Sequence, residues 1–182
     1  MPTERIRAVG LAVACLLCPV SGLAGQSSRT MAETKAWLET DAATLAISSS
    51  EMDLTNVRMV AYTASAVFLL NDCQLSITVT DNSGVSGFQV TTLVTLKDVD
   101  AGGVRVVTRP EGYHDFVYIP GRTFVTIPAR DPNAWPFRTI TSRGELRAYV
   151  TTIPAKDPDA GATLAAAVEH AAVLCGAPAA AR

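Results

Sequence analysis

Histidine is almost missing from this chain, with 2 in 182 residues, and only 4 cysteines are present. No His-Glu-x-x-His helix can be assembled, and no Cys-x-x-Cys pair occurs after residue 24, so cysteine zinc sites and dithiol redox motifs are excluded there. Gly84-Val-Ser86-Gly87 lacks the spacing of a nucleophile elbow, and no glycine-rich phosphate loop is present. Charge is also scarce, at 18% of residues, with 15 basic against 17 acidic side chains and a net charge of −2. Nucleic-acid binding needs a concentrated basic surface, which this balance does not supply. The later arginines (Arg105, Arg109, Arg122, Arg130, Arg138, Arg143 and Arg147) read as a scattered, solvated set.

Long apolar runs are absent except at the start. Arg5 and Arg7 precede the apolar stretch 8–24, and Gly22-Leu-Ala24 offers the small residues of a cleavage site. The expectation is a secretory signal cut after Ala24 and a periplasmic or secreted mature chain. An uncleaved anchor and a lipoprotein attached through Cys15 are the alternatives; Pro19, Ser21 and Gly22 weigh against the first, and Ala12 three residues before the cysteine against the second. The longest later run, Met59 to Leu70, is too short and polar to span a bilayer. With the signal removed, Cys73 and Cys175 remain as a lone pair, and an oxidising compartment predicts that they bridge.

The rest reads as one domain. Residues 25–29 are polar and predicted disordered, as is the Ala-rich tail 177–182. Thr30 and Glu33 form a capping-box pair that opens a helix over 30–47, with Met31, Leu38, Ala42 and Leu45 on one face and Trp37 at its border. Ser48-Ser-Ser50 is expected to end it. From Asn56 the texture is β: strands over 57–62, 65–70, 73–80 (opened by Cys73), 88–96, 104–107, 116–119, 123–127 and 146–153. Turns fall at Asp81–Gly84, Ala101–Gly103 and Pro120-Gly121, and a Pro-rich loop covers 131–137. A last helix starts at Asp157-Pro158 and stops at Gly176, with Ala160, Leu164, Ala167, Val168, Ala171, Leu174 and Cys175 on its inward face. The fold class is therefore α+β and mainly β: about seven antiparallel strands in a bent sheet or barrel, an extra N-terminal helix and a C-terminal capping helix.

That order resembles a pleckstrin-homology-like barrel over roughly 57–176. Thr92-Leu-Val-Thr-Leu96-Lys-Asp98-Val-Asp100 with Val104-Arg-Val106 is similar to the strand, Asp-containing turn and strand of such domains, and Ala165 to Cys175 to their terminal helix. The resemblance implies a scaffold that binds peptides, proteins or lipid headgroups, although the basic headgroup pocket is not recognisable here. A lipocalin-like or other sandwich is the rival architecture.

Candidate chemistry is thin. His114 sits beside Asp115 in a loop, and His170 on the flank of the last helix, where a carbonyl or water is the expected partner. The pairs Asp98/Asp100 and Asp157/Asp159 lack the ligand count of a calcium loop, and Asp98 reads as a turn residue and Asp157 as a cap, so no metal site is expected, and no cofactor. Loop aromatics, Trp135 and Phe137 beside Arg138 and Tyr113 with Phe116, either anchor a partner or cover one end of the barrel. The reading is a non-catalytic module of the cell envelope that binds a protein, peptide or envelope component through Trp135, Phe137 and Arg138. A small barrel carrying an apolar ligand is the alternative and an enzyme the third; an open internal cavity would favour the carrier.

Overall fold

A computed structural model describes residues 28–54, 58–81, 88–108 and 123–179. The expected signal segment, most of the polar stretch after it, the turn before Gly84, the loop with Tyr113, His114 and Phe116, the strand at 116–119 and the end of the tail lie outside these residues.

Thr30 caps the first helix reciprocally: Glu33 N donates to Thr30 Oγ1 at 3.3 Å, and Thr30 N donates to Glu33 Oε2 at 2.7 Å. The single helix expected over 30–47 is divided into α1 (Met31–Thr40) and the one-turn α2 (Ala42–Leu45), with Asp41 between them. Leu38 and Ala42 are fully buried, and Met31, Trp37 and Leu45 pack beside them. The three serines do more than end the helix. They belong to β1 (Ile47–Leu54), which pairs along its whole length with β2 (Arg58–Asn71). Serine favours neither helix nor strand strongly, so the waiting partner strand decides.

β2 is one 14-residue strand where two short ones were expected. It turns into β3 (Gln74–Asp81) through Asp72 and Cys73, whose φ angles of 46° and 60° make a two-residue hairpin turn of the kind that twists with the strands. Cys73 thus sits in the turn rather than opening the strand. After β4 (Phe88–Thr95), 3-10 turns at Leu96–Asp98 and Ala101–Gly103 lead to β5 (Arg105–Thr108). Then come β6 (Thr123–Pro128), β7 (Phe137–Thr141), β8 (Gly144–Ala148), β9 (Val150–Ala155) and α3 (Pro158–Leu174).

The chain is mainly β with a C-terminal helix, as expected, but its nine described strands form no closed barrel. They form two antiparallel sheets, ordered β1-β2-β3-β4-β7-β8 and β5-β6-β9. The stretch read as one strand over 146–153 is in fact where the chain changes sheet: β8 pairs with β7, β9 pairs with β6, and Tyr149 alone joins them. Just past β9, Lys156 N donates to Leu45 O of α2 at 2.9 Å, which ties the three-stranded sheet to the N-terminal helices.

On the six-stranded sheet, Ala64, Ala66, Phe68 and Leu70 of β2 face inward with Leu75 and Ile77 of β3 and Val94 of β4. The opposite face of β2 leaves Val67 and Leu69 exposed, the period-two alternation of a half-covered sheet. Helix α3 supplies the other side of the core with Ala160, Leu164, Ala167, Val168 and Ala171, whereas Leu174, expected on that face, is 42% exposed. Gly161 permits close approach to the three-stranded sheet, since a Cβ there would sit 3.0 Å from Val106 Cγ1. Asp157 Oδ1 accepts from Ala160 N at 2.7 Å to start α3. Gly176, at φ 90°, ends it, with Gly176 N donating to Val173 O and Ala177 N to Ala172 O. Cys73 and Cys175 are bonded, with Cα atoms 5.6 Å apart, so the β2–β3 turn is tied to the end of α3. Among the described residues no helix is long and apolar enough to cross a membrane.

A charged knot fastens α1 to the end of β2. Glu39 Oε1 accepts from Lys35 Nζ at 2.6 Å and from Leu70 N at 2.9 Å, while Lys35 also donates to Leu70 O. The Lys35 hydrogen bond, followed by the Leu70 amide, holds the Glu39 carboxyl below its ordinary value of 4.5. A depressed carboxyl contributes stability that is complete above its unfolded-state value and is lost as pH falls through the folded-state value. Urea unfolding midpoints should therefore decline on acidification below the ordinary carboxyl range. Glu39→Gln should make that decline shallower, and an unchanged slope would remove Glu39 from the account.

Candidate ligand cleft

The three-stranded sheet has one covered face and one open face. Thr123, Val125 and Ile127 of β6 are buried, with Ile153 and Ala155 of β9 beside them in register, on the side that α3 covers. Phe124 and Thr126 point the other way, as do their partners Pro154 and Thr152. No helix covers that second face among the described residues. Instead Phe124, Val150, Thr151, Thr152 and Pro154 line a cleft of about 440 Å³, and the inner face of the larger sheet closes it with Ala64, Val79, Val90, Thr92 and Thr139.

The lining carries no charged side chain. Its polar side chains are threonines; Thr92 Oγ1 and Thr139 Oγ1 lie 3.3 Å apart and satisfy one another across β4 and β7. Pro154 suits an edge strand because it has no N–H to leave unpaired on the open side. Apolar surface continues past the rim. Leu146 is the register partner of Thr139, shares its face and is 63% exposed. A mostly apolar concavity with a few hydroxyls, in the size range of small-molecule sites, is a ligand site in form.

The three residues proposed from sequence do not converge on one surface. Trp135 is 48% exposed, has φ 47°, and meets Tyr149 edge-on with ring centroids 5.3 Å apart. Phe137 is fully buried in the core, where it offers a partner no surface. Arg138 points to the opposite face and grips Glu145 through Nε and Nη2, at 2.7 and 2.6 Å. That pair of hydrogen bonds, reinforced by the opposite charge, pulls the Glu145 carboxyl below its ordinary value and raises Arg138. The three are separated because Phe137 already belongs to β7 and neighbours on a strand, Phe137 and Arg138, point apart.

His170 donates from Nε2 to Arg29 O at 2.8 Å, the carbonyl partner expected of a helix-flank histidine. Asp157 is engaged as a cap, and among the described residues no cluster of His, Cys, Asp or Glu could hold a metal. None of the cleft residues was proposed as a site residue from sequence. The available signal was Pro154 inside a strand, which marks an edge. Comparison with family models, curated proteins and solved structures finds no match to this chain.

Proposed function

We propose that this chain is a non-catalytic binding domain of the cell envelope whose ligand is apolar and occupies the cleft between the two sheets. The observation that carries this reading is the uncharged cleft of about 440 Å³ on the face that α3 leaves bare. A carrier needs apolar space that a filled scaffold lacks, and this cleft, open on one side, supports the carrier. The disulfide and the lack of a long apolar helix among the described residues are compatible with a periplasmic or secreted location. The non-catalytic assignment rests on the want of a nucleophile paired with a base in the sequence. The resemblance to pleckstrin-homology-like domains read from the sequence supports a binding scaffold only through the order of strands followed by a helix.

The neutral apolar fluorophore N-phenyl-1-naphthylamine gives a direct test. Its emission should rise on binding to the native protein, and Val90→Trp should fill the cleft and weaken that binding at least about tenfold, or about 1.4 kcal/mol. Val90 is only half-buried, so the fold should survive the larger ring, as circular dichroism would show. No binding by the native protein, or equal binding by a folded Val90→Trp protein, would overturn the reading.

Trp135 supports a second reading, in which a protein or peptide docks on the Trp135–Tyr149 pair. The two readings separate cleanly, because Trp135→Ala should leave fluorophore affinity unchanged.

A further inference from the structure

We propose that the occupant of the cleft is a single-chain amphiphile with a carboxylate head, its chain between the sheets and its head at Arg105. This rests on the cleft being a ligand site and adds the chemistry of what it holds. The open face of the three-stranded sheet is arranged in rows. Val107, Phe124 and Pro154 are register neighbours and make an apolar row; Arg105, Thr126 and Thr152 make the next one along the strands. The first row contributes Phe124 and Pro154 to the cleft wall, and the second contributes Thr152. Moving outward from Thr152, an extended ligand meets the Thr126 hydroxyl and then Arg105, two strands away or about 10 Å at the usual strand spacing of about 4.8 Å. An extended arginine side chain spans much of that distance.

The charge pattern sets the polarity of the ligand. Nothing charged lines the cleft, so a charged group can be tolerated only outside it. Arg105 is exposed and forms no ion pair among the described residues, in contrast to Arg138, whose Nε and Nη2 both donate to Glu145. A guanidinium with free donors matches a carboxylate through two parallel hydrogen bonds, better than it matches a neutral hydroxyl and against a cation. Hydroxyls between an apolar wall and that cation complete the gradient an amphiphile requires.

The test is displacement of N-phenyl-1-naphthylamine by three ligands with the same chain, hexadecanoate, hexadecan-1-ol and hexadecyltrimethylammonium, each kept monomeric. The native protein should prefer hexadecanoate to the alcohol by about tenfold at low salt, with the ammonium weakest, and the preference should shrink as salt is raised. Arg105→Gln should abolish the preference while leaving affinity for the alcohol unchanged; Arg105→Lys should keep part of it. Equal binding of acid and alcohol by the native protein, a preference for the ammonium, or a preference that survives Arg105→Gln would each overturn the proposal and leave the cleft as a site for neutral chains. If the fluorophore binds but none of the three displaces it, the ligand is not a single-chain amphiphile. Failure of the fluorophore itself to bind the native protein would instead refute the cleft reading on which this one stands.

Discussion

Replacing Cys175 with alanine is expected to lower the unfolding free energy by about 2–5 kcal/mol, the usual cost of losing a native bridge in a small domain. Cys73 and Cys175 are 102 residues apart in sequence. For a closed loop of about 100 residues, chain entropy alone predicts about 4–5 kcal/mol, before any offset from structure in the unfolded chain. Two local features add weight. Cys73 holds a left-handed backbone conformation that a non-glycine residue adopts at a cost, and Leu96 N donates to its carbonyl at 2.9 Å. Once the bridge is gone, the turn keeps that cost and loses its tie to α3. Guanidinium unfolding of the oxidised native protein, the reduced native protein and the Cys175→Ala variant should place the last two together, well below the first. Three coincident curves would show that packing of α3 already holds everything the disulfide holds.

Phe137→Ala is expected to cost about 3–5 kcal/mol, the range for removing a large aromatic side chain from a core. Phe137 is fully buried, the largest side chain so enclosed among the described residues, and its cluster includes Phe68, Leu75, Val94 and Leu164. It also begins β7, the strand that joins the β7–β8 hairpin to β4, so the cavity would open where the edge of the sheet is attached. Phe137→Leu, which keeps much of the volume, should cost considerably less. If instead Phe137→Ala left thermal stability unchanged and altered only affinity for a partner, the ring would have to be reachable from solvent, against its burial.

How legible this molecule is depends on the distance over which each feature is decided. The capping box at Thr30, the Asp157-Pro158 start and the Gly176 stop of α3 are local hydrogen-bond chemistry, and sequence shows them directly. The alternation of Leu75, Ile77 and Val79 with Ser76 and Thr78 identifies β3 because one face is covered and the other is not. β7 defeats the same rule, since Phe137 and Ile140 put apolar residues on both faces of the strand. The change of sheet at Tyr149 has no glycine or proline to announce it; it is set by β6 and β7, which lie elsewhere in the chain. The cleft was invisible for a related reason. Val79, Val90 and Thr92 read as ordinary core positions, and they line a hollow only because α3 packs on the other face of the three-stranded sheet.

The position of the disulfide also orders events in time. Cys73 lies in the β2–β3 hairpin turn and Cys175 at the end of the last helix, so a chain made from its N-terminus exposes one thiol long before the other exists. During that interval β1 to β4 can assemble from neighbouring segments, the fast kind of contact, while Cys73 has no native partner. The native bridge can then form only as a late lock, and any earlier disulfide, to Cys15, Cys18 or another molecule, is a wrong one, released only by exchange over seconds to hours. Where such a chain is oxidised as it emerges, a thiol-exchange catalyst, or a delay of oxidation until synthesis ends, is expected to speed its arrival at the native pair.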